Sequence, residues 1–358
     1  MNFGSYTNLT DIITAISNKI KGRDKTFNGT HDDWNDLTLA QKAQYDFVAF
    51  NDDYDEIIDD TTTANNKVWS SDKTSKSISN SNLLDNPWFT INQRGLSQYT
   101  GNGYTVDRWN LPGARLSLNV SDSGITLTYN GSATWGEFHQ RIEDKDAILL
   151  DGKTITLSVI IDGVLYSKTG VYHYDTNEAL LSMRFDSNKY IVELRNIPTN
   201  TNRLIVRIGS NANSSLTTGV IRAIKLELGE ISTLAMDTVP NYATELLKCQ
   251  RYFIRIGGFN SAFGNGWFTT ASLSYIFTKL PTPMRVAPSV SMSGTVYIWS
   301  PTKQAGSSYA MSAINTSSYE NNGIVILVFN TGGSETVGVN SLAQFRDTAS
   351  YIDLSADL

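Results

Sequence analysis

From Arg115 to Leu228 the chain alternates between apolar and polar side chains in short runs, and few folds accept that pattern. Leu116, Leu118 and Val120 alternate with Arg115, Ser117 and Asn119, and Ile125, Leu127 and Tyr129 follow a Ser-Gly turn. The pattern returns at Ile155, Leu157, Val159 and Ile161, at Leu181, Met183 and Phe185, and at Tyr190, Val192 and Leu194. It closes with Leu204, Val206 and Ile208, then Val220, Ile224, Leu226 and Leu228. A period of two puts one face of a strand in a core and the other in water. Seven or eight such strands between Gly, Asn and Asp turns predict a jelly-roll β-sandwich over 81–238.

The segments on either side differ. In 1–80, Leu9, Ile13, Ile16 and Ile20 recur at helical spacing behind Asn8, a residue suited to an N-cap. The stripe reads as an amphipathic helix packed on its own domain, or as a self-association or docking seam. Thr38 and Gln41 have capping-box form, with Leu39, Ala43, Phe47 and Phe50 on one face of a second expected helix. The acidic run 51–60 lacks the Gly and Glu positions of an EF-hand loop and reads as a solvated helix end. Residues 61–80 form a polar linker anchored by Trp69. Beyond 238, Pro240 opens a short expected helix with Leu246, Cys249 and Phe253 on one side, which makes Cys249 a small buried hydrophobe. Residues 272–279, 289–299, 323–329 and 351–358 then read as strands of a second β-domain, so 239–358 is a helix plus a C-terminal β-sandwich.

Composition narrows the function. The 358 residues include 29 Lys and Arg against 35 Asp and Glu, a net charge of −6, with no basic run. Nucleic acid is therefore not an expected partner, because phosphate binding needs clustered cations. The apolar run Ile324–Phe329 is too short for membrane insertion, and MNFGSYTNLTDIITAISNK lacks the basic and apolar parts of a secretory signal. A single cysteine excludes an intrachain disulfide.

His31, His139 and His173 form no metal-ligand spacing, and no nucleophile elbow or phosphate loop is present, so no cofactor, metal or catalytic residue is assigned. Glu137, or Glu143 with Asp144 and Asp146, are the acids that a glycoside hydrolase would need, but loop solvation is the plainer reading. The remaining feature is aromatics in polar, turn-like stretches: Trp135, Phe138 and His139 in ATWGEFHQ, Tyr172, His173 and Tyr174 in GVYHYDT, and Trp267 and Phe268 after GNG. Rings beside amides and carboxylates hold sugars, so these eight are the candidate glycan-binding residues, although aromatics also build ordinary sandwich cores.

Several motifs occur together. NLLDNPWFTINQRG (82–95) precedes GYTVDRW (103–109), RIEDKDAILLDGKTITLSV (141–159) and AIKLELGEISTLAMDTVPNYATELLKCQRYF (223–253). LPTPMRVAPSV (280–290), SYIDLSADL at the end and the connector NKVWSSDKT (66–74) complete the set. In that order they resemble bacteriophage and prophage tail-fibre or receptor-binding proteins, in which a carbohydrate-binding-like jelly roll precedes a C-terminal tail-fibre β-domain. One departure is Leu234-Ala-Met236, where that family carries a Pro-Phe pair.

The resemblance implies a homotrimeric virion tail protein, assembled in the bacterial host cytoplasm, that recognises host surface glycans. Its N-terminal region, including Leu9, Ile13, Ile16 and Ile20, would contact other tail proteins. The alternatives are a tail connector or decoration protein on the same folds, and a polysaccharide depolymerase. In the opening motif Phe89 and Ile91 are expected on an entry strand facing the core, with Trp88 packed beside them.

Overall fold

The computed structural model describes residues 26–29, 35–42, 47–50 and 80–357, apart from 130–135, 176–178, 198–203, 211–216, 259, 303–307 and 321. The chain divides into two units, Met1–Ile78 and Ser79–Leu358. In the first, Thr38 caps the short helix Leu39–Lys42 reciprocally with Gln41: the Thr38 backbone N–H and hydroxyl both donate to Gln41 Oε1. Phe47–Phe50 is not the continuation of that helix. It is a strand paired in parallel with Thr26–Gly29. The apolar stripe at Leu9, Ile13, Ile16 and Ile20, the acidic run and Trp69 lie outside the described residues.

The second unit is mainly antiparallel β-structure, as the alternation predicts. Two six-stranded sheets face each other among the described residues. One runs in the order Val164–Val171, Thr154–Ile161, Ile221–Leu228, Gly124–Tyr129, Leu116–Ser121, Gln98–Tyr99. The other runs Ala179–Phe185, Tyr190–Asn196, Leu204–Ser210, Gly136–Arg141, Asn110–Leu111, Gly103–Tyr104. Leu118, Leu127, Leu157 and Leu226 of the first sheet meet Phe138, Val192, Leu194 and Val206 of the second in one core.

A second core lies between a three-stranded and a seven-stranded sheet. The smaller sheet joins Phe253–Gly257, Tyr351–Ser355 and Ser289–Ser293. The larger one runs Tyr309–Met311, Val296–Trp299, Asn340–Phe345, Ala262–Phe268, Leu273–Lys279, Ile324–Asn330, Thr316–Glu320. The stretch 289–299 is thus two strands in different sheets. It turns at Gly294, whose φ of +76° and contact with Ser350, 2.1 Å from where a Cβ would sit, exclude a side chain.

The helix at the module boundary spans Tyr242–Gln250 and is capped by Asn241, which accepts from the N–H groups of Ala243 and Thr244. Pro240 precedes the cap, and Phe253 belongs to the following strand. Cys249 is fully buried, and burial pushes its thiol well above the ordinary range, which makes it inert.

Candidate functional site

The opening motif is not a strand. It is an irregular loop whose buried polar groups fasten both cores together. Asn86 takes φ +49°; its side chain donates to the carbonyls of Ile91 and Asp107 at 2.9 and 3.0 Å and accepts from Ile91 N–H at 2.9 Å. Its backbone N–H donates to Glu245 of the helix, and its carbonyl accepts from Trp109 Nε1. Phe89 (φ +57°) and Ile91 are buried as expected, and Phe89 packs on Trp109, which stacks on Phe138 at 5.0 Å. Gln93 donates to Asp107 and to the Phe253 carbonyl, while Arg94 pairs with Asp357 at 2.9 Å and lies 3.6 Å over the Phe253 ring.

GYTVDRW, the start of RIEDKD and the end of the exit motif meet at the same place. Arg108 pairs with Asp85 at 2.9 Å and covers Tyr252, whose hydroxyl donates to Glu143 at 2.5 Å. Lys225 and Glu227, both fully buried, hold the exit segment: Lys225 Nζ reaches Asp237 at 2.8 Å and Thr233 at 2.8 Å, and Glu227 accepts from the Thr233 N–H and hydroxyl. These residues carry the sequence resemblance, and their side chains are spent on internal contacts.

Four of the eight candidate sugar-binding residues, Phe138, His139, Tyr172 and Phe268, are buried as well. Phe138, Tyr172 and Phe268 are fully buried and cannot present a ring to a ligand; Tyr172 uses its hydroxyl on Asn196 at 3.1 Å. ATWGEFHQ is no turn from Gly136 onward: Gly136–Arg141 is an interior strand, and Gly264-Asn265-Gly266 likewise lies in a strand. His139, 4% exposed, is tied into a cross-strand ladder, with Glu137 3.0 Å away on one oxygen and Arg207 2.8 Å away on the other. Tyr174 is half-buried and donates to Asp144 at 2.7 Å, whereas His173 is exposed. Trp135 lies outside the described residues.

Of the acids, Glu143 is held below the usual carboxylate range: burial raises it, but Tyr252, Lys145 and Arg251 outweigh that. A general acid needs the opposite shift. Among the described residues no cluster of His, Cys, Asp and Glu has the arrangement of a metal site.

Trp267 is different. It is 45% exposed and stacks on Phe277 at 4.8 Å with 23° between the planes. The ladder places it opposite Tyr275 on one side and Asn340 on the other, with Asn265 opposite Phe277 and Leu342 in the next row. Two strands away, Trp299, 36% exposed, sits opposite Leu342, and Tyr297 lies on the same face with Arg346 4.4 Å over its ring. Two strand spacings and a two-residue offset along the strand put Trp299 and Trp267 about 12 Å apart on the sheet.

The outward face of the seven-stranded sheet is therefore a row of rings interleaved with the exposed amides Asn265 and Asn340. Lys279 and Glu320 lie at its margin. Tyr275, Tyr297 and Trp299 were legible as aromatics two residues apart or in line with the alternation, but their placement beside Trp267 depends on long-range pairing. Neither the protein-family models nor the curated proteins contain a match to this chain.

Proposed function

We propose that the protein is a phage tail adhesin, a tail-fibre or receptor-binding protein that recognises host surface glycan with the outer face of its C-terminal sheet. The observation that carries this reading is the aromatic row of Trp267, Tyr275, Tyr297 and Trp299 beside exposed amides. Ring faces take the CH face of a pyranose, and side-chain amides donate to and accept from its hydroxyls. The motif order supports the tail assignment, the trimeric state and attachment through the N-terminal unit. Several copies of a weak site on one fibre bind tightly together.

The test is adsorption of the purified full chain to a panel of bacterial surface polysaccharides, with and without periodate treatment. The reading expects saturable capture by at least one glycan, abolished by periodate; capture indifferent to periodate contradicts it.

One observation favours a second reading, a tail connector: Asn86, Asp85 and Arg108, which belong to the motifs that carry the resemblance, fasten the two β-modules to each other. That reading expects association with other tail proteins and no glycan capture.

A further inference from the structure

We propose that a groove on the sandwich, bounded by Trp88 and Arg222, binds a sugar unit carrying a carboxylate, a hexuronate. The groove encloses about 480 Å³ between the loop 88–97, the hairpin turn 120–124 and the start of the Ile221–Leu228 strand, with Val239 at its side. Small-ligand sites span roughly 300–1,000 Å³.

The local fold builds this groove. Gly124 has φ +135°, and a Cβ there would lie 2.3 Å from the Ile221 carbonyl oxygen and 2.9 Å from Arg222 Cα. Only glycine lets the turn press against that strand, so Asp122, Ser123 and Arg222 line one groove. Val120 N–H donates to the Ser97 carbonyl at 2.8 Å and ties the loop to the hairpin.

The chemistry selects the ligand. The exposed Arg222 guanidinium lies 5.4 Å from the centre of the Trp88 ring, a cation–π contact that holds the arginine over the groove. A guanidinium so placed takes a planar oxyanion through two parallel N–H donors. Trp88 with Leu96 and Val239, which are 54% and 50% exposed, offers apolar surface to the CH face of a ring. The hydroxyls of Thr90 and Ser97 and the Asp122 carboxylate, all exposed in the groove, match sugar hydroxyls as donors and acceptors. A neutral hexose offers the Arg222 guanidinium no carboxylate of its own, and a small carboxylate leaves the apolar wall uncovered. A ring bearing a carboxylate uses both.

This groove and the C-terminal sheet face share no residues, so one can fail while the other holds. The experiment is ligand-observed NMR titration of the full-length protein with glucuronate and with glucose. Glucuronate should bind at least about tenfold more tightly, the worth of one charge-assisted contact. Arg222→Gln should bring glucuronate down to the affinity of glucose, and Trp88→Ala should weaken both sugars. Arg222 is exposed, so the Gln variant keeps its fold, checked by an unchanged melting temperature. Equal binding of the two sugars, binding of neither, or an Arg222→Gln variant that keeps its preference overturns the proposal.

Discussion

The guanidinium carbon of Arg108 lies 3.5 Å from the ring centre of Tyr252, so a residue of the first β-module and one of the second form a single buried contact. Asp85 holds Arg108 from the sandwich side, and Glu143 accepts the Tyr252 hydroxyl. Removing the arginine leaves Asp85 without its cation and Tyr252 without its cover. Arg108→Ala should cost about 3 kcal/mol, the scale for breaking a largely buried pair. Denaturant unfolding followed by circular dichroism should change from one transition to two as the modules uncouple. One unshifted transition in the variant would show that the contact carries little of the coupling.

Asp107 gives the junction a pH signature. Burial pushes its carboxyl up to about 6, against the opposing pull of the Gln93 N–H and Arg94. A folded-state pKa above the unfolded one means that the native protein binds the extra proton between about pH 4 and 6. Stability from this group is therefore greatest below the unfolded pKa and is lost as pH rises towards 6. Asp107→Asn does not titrate. Across that window wild type should lose up to about 3 kcal/mol relative to the variant, two pKa units at 1.36 kcal/mol each. Stability curves that run parallel from pH 4 to 7 would exclude this role.

Lys225 and Glu227 test how the exit segment is held. Both are fully buried, so Lys225→Met alone strands a carboxylate and should cost about 3–5 kcal/mol. Adding Glu227→Gln removes that uncompensated charge, and the double variant should recover part of the loss. A double-mutant cycle on urea midpoints measures the coupling; strict additivity would contradict the arrangement.

Phe138 and Cys249 separate core from surface. Phe138→Ala should cost about 3–5 kcal/mol, because the ring is fully buried against Trp109. Cys249 should resist a disulfide reagent in the native protein and react on unfolding, which a colorimetric thiol assay follows.

The sandwich strands with one wet face, such as Leu116–Ser121 and Gly124–Tyr129, are readable from alternation alone. Gly136–Arg141 is not, because its outward positions carry Glu137, His139 and Arg141 while only Phe138 marks the inward side. Val164–Val171 lies at a sheet edge with both faces largely exposed, and so has no alternation to read. Phe89-Thr-Ile91 imitates a strand locally, yet the positive φ angles at Asn86 and Phe89 and the hydrogen bonds of Asn86 make it a loop. Phe47 and Phe50 continue a helical stripe by spacing and are claimed by a strand partner. The aromatic sheet face was half legible: Trp267 stood out in sequence, whereas its neighbours arrive from strands tens of residues away.

The proposed glycan recognition depends most on that face, and the deciding measurement is glycan capture by Trp267→Ala/Trp299→Ala beside wild type. Both indoles are at least a third exposed, so the double variant should keep its melting temperature. On the polysaccharide that wild type captures, binding should fall at least about tenfold, the loss of two stacking contacts at roughly 1 kcal/mol each. A folded double variant that binds as tightly as wild type would contradict the assignment of the C-terminal sheet as the receptor-binding surface.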